Sequence, residues 1–89
     1  MVSMKHWTVD VYLDEDVDHT HAEARLRTPD AGDLRAKGSA RRNPEDRNVP
    51  EIGDELAAAR ALFELAHRLL KTAQADVERM TGQPAHLHT

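Results

Sequence analysis

The 89-residue sequence predicts a two-layer α+β domain: a three-stranded antiparallel meander packed on one long C-terminal helix, in the order β-β-β-α. Three observations predict it. Ile52, Leu56, Ala59, Phe63, Ala66, Leu70, Ala73, Val77 and Met80 recur at alternating steps of four and three, the spacing of one helix face. A second row, Ala58, Leu62, Leu65 and Leu69, lies beside it and widens the stripe. Upstream, three stretches alternate at period two and are joined by short loops, which favours antiparallel neighbours. A stripe this broad needs a sheet, another helix or a partner chain to cover it.

The first strand is expected over 6–13, with Trp7, Val9, Val11 and Leu13 inward and His6, Thr8, Asp10 and Tyr12 outward. The acidic run Asp14-Glu15-Asp16-Val17-Asp18 reads as a solvated turn that stops it. As a cation loop the run lacks the glycine and closing glutamate of an EF-hand. The second strand, 20–27, turns Ala22, Ala24 and Leu26 inward. Pro29, Asp30, Gly32 and Asp33 mark a loop. The third strand, 34–41, has Leu34, Ala36, Gly38 and Ala40 inward; these are small, and Gly38 weakens it. Small residues on a sheet face let a helix approach closely, while Trp7, Val9, Val11 and Leu13 are expected to fill the larger gaps.

The helix is expected over 51–80. Asn48 and Glu51 read as a capping pair around Pro50, with Asp54 as the alternative cap. Thr81-Gly82 and Pro84 stop the helix, leaving a tail over 82–89. Thirty helical residues span ~45 Å, against ~27 Å for an eight-residue strand. Either the helix breaks near Lys71–Gln74, with Thr72 capping a second short helix (β-β-β-α-α), or its overhang packs on another subunit.

Residues 1–89 form one small domain, and so modest a core makes dimerisation a natural supplement. With 39% hydrophobic and 31% charged residues, the long stretch must supply most of the core. The absence of cysteine excludes disulfides, thiolate metal sites and a thiol nucleophile. No apolar run reaches the ~18 residues of a membrane span, and no signal-peptide core is present; a cytoplasmic protein is expected. The net charge of −4 argues against a general nucleic-acid coat.

The charge is nonetheless uneven. Arg25, Arg27, Arg35, Lys37 and Arg41 fall on the outward positions of strands two and three, with His21, Thr8 and Tyr12. Such a stripe suits phosphates or another anionic partner, including RNA. The plainer reading is the wet side of a two-layer domain. Against base stacking stands the near absence of aromatics, since only Tyr12 qualifies. His19-x-His21 and His86-x-His88 are the close histidine pairs; neither has a third ligand fixed by sequence, so no metal is expected. His67 reads as a boundary residue of the helix. Ser3 and Ser39 have no evident His and Asp partners, and there is no glycine-rich phosphate loop. Glu64 with Arg68, and Arg60 with Glu64, read as surface i,i+4 pairs. No enzyme, cofactor or small-molecule substrate is expected.

His6-Trp7-Thr8-Val9-Asp10, Ala24-Arg25-Leu26-Arg27 and, above all, Asn43-Pro44 followed by Asp46 to Leu56 carry a resemblance to a small actinobacterial family of unknown function. Ala59-Arg60-Ala61-Leu62 and Gln83-Pro84 continue it. The resemblance implies a fold like that of double-stranded-RNA-binding domains, a homodimer, and expression in dormancy or low-oxygen stress. It also implies similarity in shape to ribosome hibernation factors. Family members tend to have an apolar third strand, whereas this one reads Leu34-Arg35-Ala36-Lys37-Gly38-Ser39-Ala40-Arg41. Two functions are therefore carried forward: a stress-linked translation regulator contacting the ribosome through the basic face, and a dimeric protein–protein interaction module with no RNA contact.

Overall fold

The computed structural model describes residues 3–29 and 32–87. Three strands, β1 (Thr8–Glu15), β2 (His19–Arg27) and β3 (Leu34–Arg41), precede one helix, α1 (Pro50–Thr81). The sheet is an antiparallel meander in the order β1-β2-β3. This is the expected β-β-β-α arrangement.

β1 runs further than its hydrophobic alternation, through Asp14 and Glu15, because Glu15 still pairs with Thr20. The turn is confined to Asp16–Asp18. The Asp16 amide donates to the His19 carbonyl at 2.7 Å, and the Asp16 side chain accepts from the Val17 amide. His19 thus opens β2 rather than sitting in the turn.

Register puts Leu13, Ala22 and Gly38 in one inward row, Val11, Ala24 and Ala36 in the next, and Val9, Leu26 and Leu34 in a third. Against these rows α1 presents Ala57, Ala61 and Leu65. Of the eight buried apolar residues among those described, six are alanines, so the two layers meet almost backbone to backbone. A Cβ at Gly38 would lie 2.3 Å from the Ala61 nitrogen and 2.6 Å from the Ala57 carbonyl oxygen. Small strand residues do admit the helix closely, as the sequence implies.

The orientation of α1 departs from expectation. Phe63 stands two residues from both Ala61 and Leu65, hence about 200° around the helix from the buried row, and is 78% exposed. Ile52, Leu56 and Val77 are likewise exposed. Where the backbones nearly touch only alanine fits, so Ala57 and Ala61 face the sheet, followed by Leu65 and Leu69 from the second row of the expected stripe, while the row through Phe63 is turned away. β1 is the strand α1 covers least. Trp7, Val9, Val11 and Leu13 are 36–46% exposed rather than filling gaps under the helix.

α1 is continuous over 32 residues. Thr72 does not cap a second helix, because its hydroxyl donates to the Arg68 carbonyl one turn back. The helix therefore overhangs the sheet, and the domain measures 53 × 29 × 19 Å. At the N-terminus Val49 holds the cap position and Pro50 follows, with no side-chain cap; Asn48 lies before it and Asp54 inside the helix. At the other end Gly82, at φ 71°, donates its amide to the Glu78 carbonyl, a conformation that favours glycine. The tail turns back, the Ala85 amide donating to the Glu78 carboxylate at 3.1 Å. His88 lies outside the described residues.

Candidate functional site

Two surfaces stand out, on opposite layers. The first is the outward sheet face. The five cations picked from the sequence all reach it: Arg25 and Arg27 from β2, Arg35, Lys37 and Arg41 from β3. Arg25 pairs with Arg35 directly across the ladder, and Glu23 with Lys37. The face is not uniformly basic. Arg27 is bonded to Asp10 of β1 at 2.9 Å, and Arg25 is bonded to Glu23 while its guanidinium lies 4.5 Å from the centre of the Tyr12 ring. The bond from Arg25, helped by Arg35 and Lys37, holds the Glu23 carboxyl below the usual carboxylate range against its partial desolvation. Arg35, Lys37 and Arg41 form no ion pair among the described residues. The open positive charge is therefore a β3 stripe, narrower than the five-residue face, and Tyr12 is covered by Arg25 rather than free to stack.

The second surface is apolar and escaped the sequence reading as a surface. It begins on the bare inner side of β1, climbs the β1-facing flank of α1 at Leu62, and continues over its outer side at Leu56 and Phe63. The opposite flank of α1 is polar and engaged. The Arg60 guanidinium donates to the Ser39 carbonyl at 2.8 Å, and Arg68 to the Arg35 carbonyl at 2.5 Å. Both arginines occupy acceptors on β3, an edge strand that would otherwise be open to further pairing. Arg68 also makes the expected pair with Glu64, whereas Arg60 turns to β3 instead. The signal for these roles was present as arginines eight residues apart on one flank of the helix.

At the end of the sheet nearest the helix N-terminus, the 43–56 stretch that carries the family resemblance helps line a cleft of about 540 Å³. Arg42 ties its walls together: its guanidinium donates to the Asp18 carboxylate at 2.7 Å and to the Asp46 carbonyl at 2.6 Å. Nearby, Glu15 lies beside Asp54, whose Oδ1 is buried without a hydrogen-bond partner among the described residues. The capacity of a protonated Glu15 to donate to Asp54, the Asp54 charge, desolvation and the Glu51 charge together raise the Glu15 carboxyl above its ordinary range. The His19 and His21 rings stack with centroids 6.1 Å apart, and His67 is exposed on the helix. Among the described residues no group of three or more His, Asp or Glu is placed to hold a metal. Among them, too, no helix is long and apolar enough to cross a membrane.

Comparison with known proteins bears on all of these features. The Rv2632c-like family model matches residues 5–86. Uncharacterized protein Mb1767 of Mycobacterium bovis is 54% identical over 84 residues, covering 94% of this chain and 88% of its own length. Uncharacterized protein Rv2632c of Mycobacterium tuberculosis is 44% identical over 77 residues, covering 85% and 81%. The crystal structure of Rv2632c superposes with a TM-score of 0.82 at 40% identity, covering 93% of this chain and 98% of that one. None of these names carries an enzymatic activity. The match spans both strand edges, the helix and the cleft-lining stretch together, and the chain belongs to the Rv2632c-like family.

Proposed function

We propose that this chain is a small, non-enzymatic cytoplasmic interaction module that works as a homodimer. The observation that supports it most is the two-sided helix: α1 uses Ala57, Ala61 and Leu65 on its own sheet and keeps the row through Ile52, Leu56 and Phe63 outside. Sedimentation equilibrium tests it. The expected mass is twice the 10.0 kDa chain, and Phe63→Asp, at a position the monomer core does not use, halves it. A wild-type protein that stays monomeric at high concentration refutes the reading.

A second reading is favoured by the β3 stripe, where Arg35, Lys37 and Arg41 form no ion pair among the described residues while the β2 cations do. On this reading the dimer is a dormancy- or stress-linked translation regulator that sets the stripe against ribosomal RNA phosphates, as the resemblance to double-stranded-RNA-binding and hibernation-factor folds implies. Co-sedimentation with ribosomes tests it. Binding through three cations weakens with a log–log salt slope of roughly −2 to −3 and is lost in Arg35→Glu/Lys37→Glu. Absence of binding at low salt removes this reading and leaves the first.

A further inference from the structure

Resting on the homodimer reading, we propose a specific arrangement: two helices lie side by side in one layer between two sheets, each helix seated on the bare inner face of its partner's β1. The area calls for such an occupant. The chain exposes 7205 Å², whereas a folded monomer of this mass exposes ~5,200 Å². The excess of roughly 2,000 Å² per chain is the scale of an obligate dimer interface. The radius of gyration, 16.8 Å, likewise exceeds the ~12 Å of a compact domain of this length.

The geometry selects a second copy because the surface complements itself. Arg60 and Leu62 flank the sheet-facing Ala61 by about 100° on either side. Arg60 reaches β3, so Leu62 faces β1. The space above β1 is therefore floored by Val11 and its inward neighbours and walled by Leu62, and a second helix in it would lie beside α1 at the usual 8–10 Å spacing. The object that fits it is an apolar helix face, which the chain itself displays at Phe63. A two-fold axis in the helix layer, running roughly along the strands, satisfies both needs reciprocally. It keeps height along the strands unchanged. Arg60 at Ser39 and Arg68 at Arg35 set that height, placing Phe63 between the Gly38 and Ala36 levels and hence over the partner's Val11. The same axis makes the two helices parallel, so their overhangs run on together and bring each Met80, 86% exposed in one chain, toward its counterpart. Edge pairing through β3 is disfavoured because Arg60 and Arg68 already occupy its carbonyls.

Engineered disulfides test this cleanly in a chain without cysteine. Differently tagged Val11→Cys and Phe63→Cys proteins are mixed and oxidised, with Arg41→Cys replacing Phe63→Cys as the control. Mixed dimers between Val11→Cys and Phe63→Cys are expected to form on the order of tenfold faster than the control, from their raised effective concentration. Met80→Cys, outside the core, is expected to cross-link to itself. Dimeric mass with no preference over the control, or with Val11→Cys linking mainly to itself, overturns this arrangement and leaves the homodimer standing. Monomeric mass for the unmodified protein overturns both.

Discussion

Gly38→Ala is the sharpest test of how the layers meet. The added carbon would lie 2.3 Å from the Ala61 nitrogen, 2.6 Å from the Ala57 oxygen and 2.7 Å from the Arg60 carbonyl carbon. Carbon contacts settle near 3.5–4.0 Å, so α1 must withdraw by roughly 1 Å. All three neighbours are backbone, which no rotamer change can relieve. Withdrawal loosens Ala57, Ala61 and Leu65 together from β2 and β3. Overpacking of this kind costs ~1–3 kcal/mol, and a rigid helix places it in the upper half. The lower backbone entropy of unfolded alanine offsets ~0.5–1 kcal/mol. The net loss is about 2 kcal/mol, or a melting temperature lower by ~8–16 °C for a domain of this size. The assay is thermal and urea unfolding followed by circular dichroism and Trp7 fluorescence, at fixed chain concentration because dimerisation shifts apparent stability. An unchanged or raised midpoint refutes the reasoning. It would mean that α1 turns Phe63 inward, leaving a gap at Gly38 that a methyl group fills favourably.

Glu15→Gln is expected to leave the protein at least as stable as wild type at pH 7. The raised Glu15 carboxyl contributes stability that is full below the ordinary glutamate range and is lost as pH rises through its folded value; urea midpoints from pH 4 to 7 measure this, and the wild type should gain relative to the variant toward the acid end. Glu78 behaves oppositely. The Ala85 amide and then Gln74 hold its carboxyl low, so its contribution is present above the ordinary range and is lost as pH falls through its folded value. Glu78→Ala should accelerate exchange of the Ala85 amide at neutral pH, read by NMR; unchanged exchange would deny that Glu78 anchors the tail. Arg60→Ala/Arg68→Ala frees the β3 carbonyls at a stability cost of ~1 kcal/mol per bond. Light scattering on incubation at high concentration should rise for this variant and not for Arg79→Ala, whose guanidinium pairs with Asp76 on the helix surface.

The basic face shows why some features were readable and others were not. Alternation alone placed all five cations on one side, because side-chain direction in a strand has period two whatever the neighbours are. Alternation could not say which cations remain free. That depends on which side chains close on one another: register brings Asp10 of β1 against the β2 arginines, and Glu23, although opposite Lys37, turns to Arg25 on its own strand, so that Arg35, Lys37 and Arg41 form no ion pair among the described residues. The same limit applies to Arg60. Its spacing to Glu64 suits a helix pair, but the nearness of β3 offers a carbonyl instead. The acidic run looked like a turn from composition, yet pairing with β2 draws Asp14 and Glu15 into the strand.

Order and class of the elements were determined by the sequence itself, whereas the ends of β1 were set by its pairing with β2. Period-two and period-3.6 patterns, Gly82 as helix stop and the short connections are local features, and local sterics decide them. Which face of α1 meets the sheet was decided only in three dimensions. A helical stripe reports where apolar bulk lies, and that criterion picked the row through Phe63. The sheet offered Ala22, Ala24, Ala36 and Gly38, against which only the Ala57–Ala61 row can come close enough to exclude water. The bulky row was thereby turned outward, where it is available to a second chain.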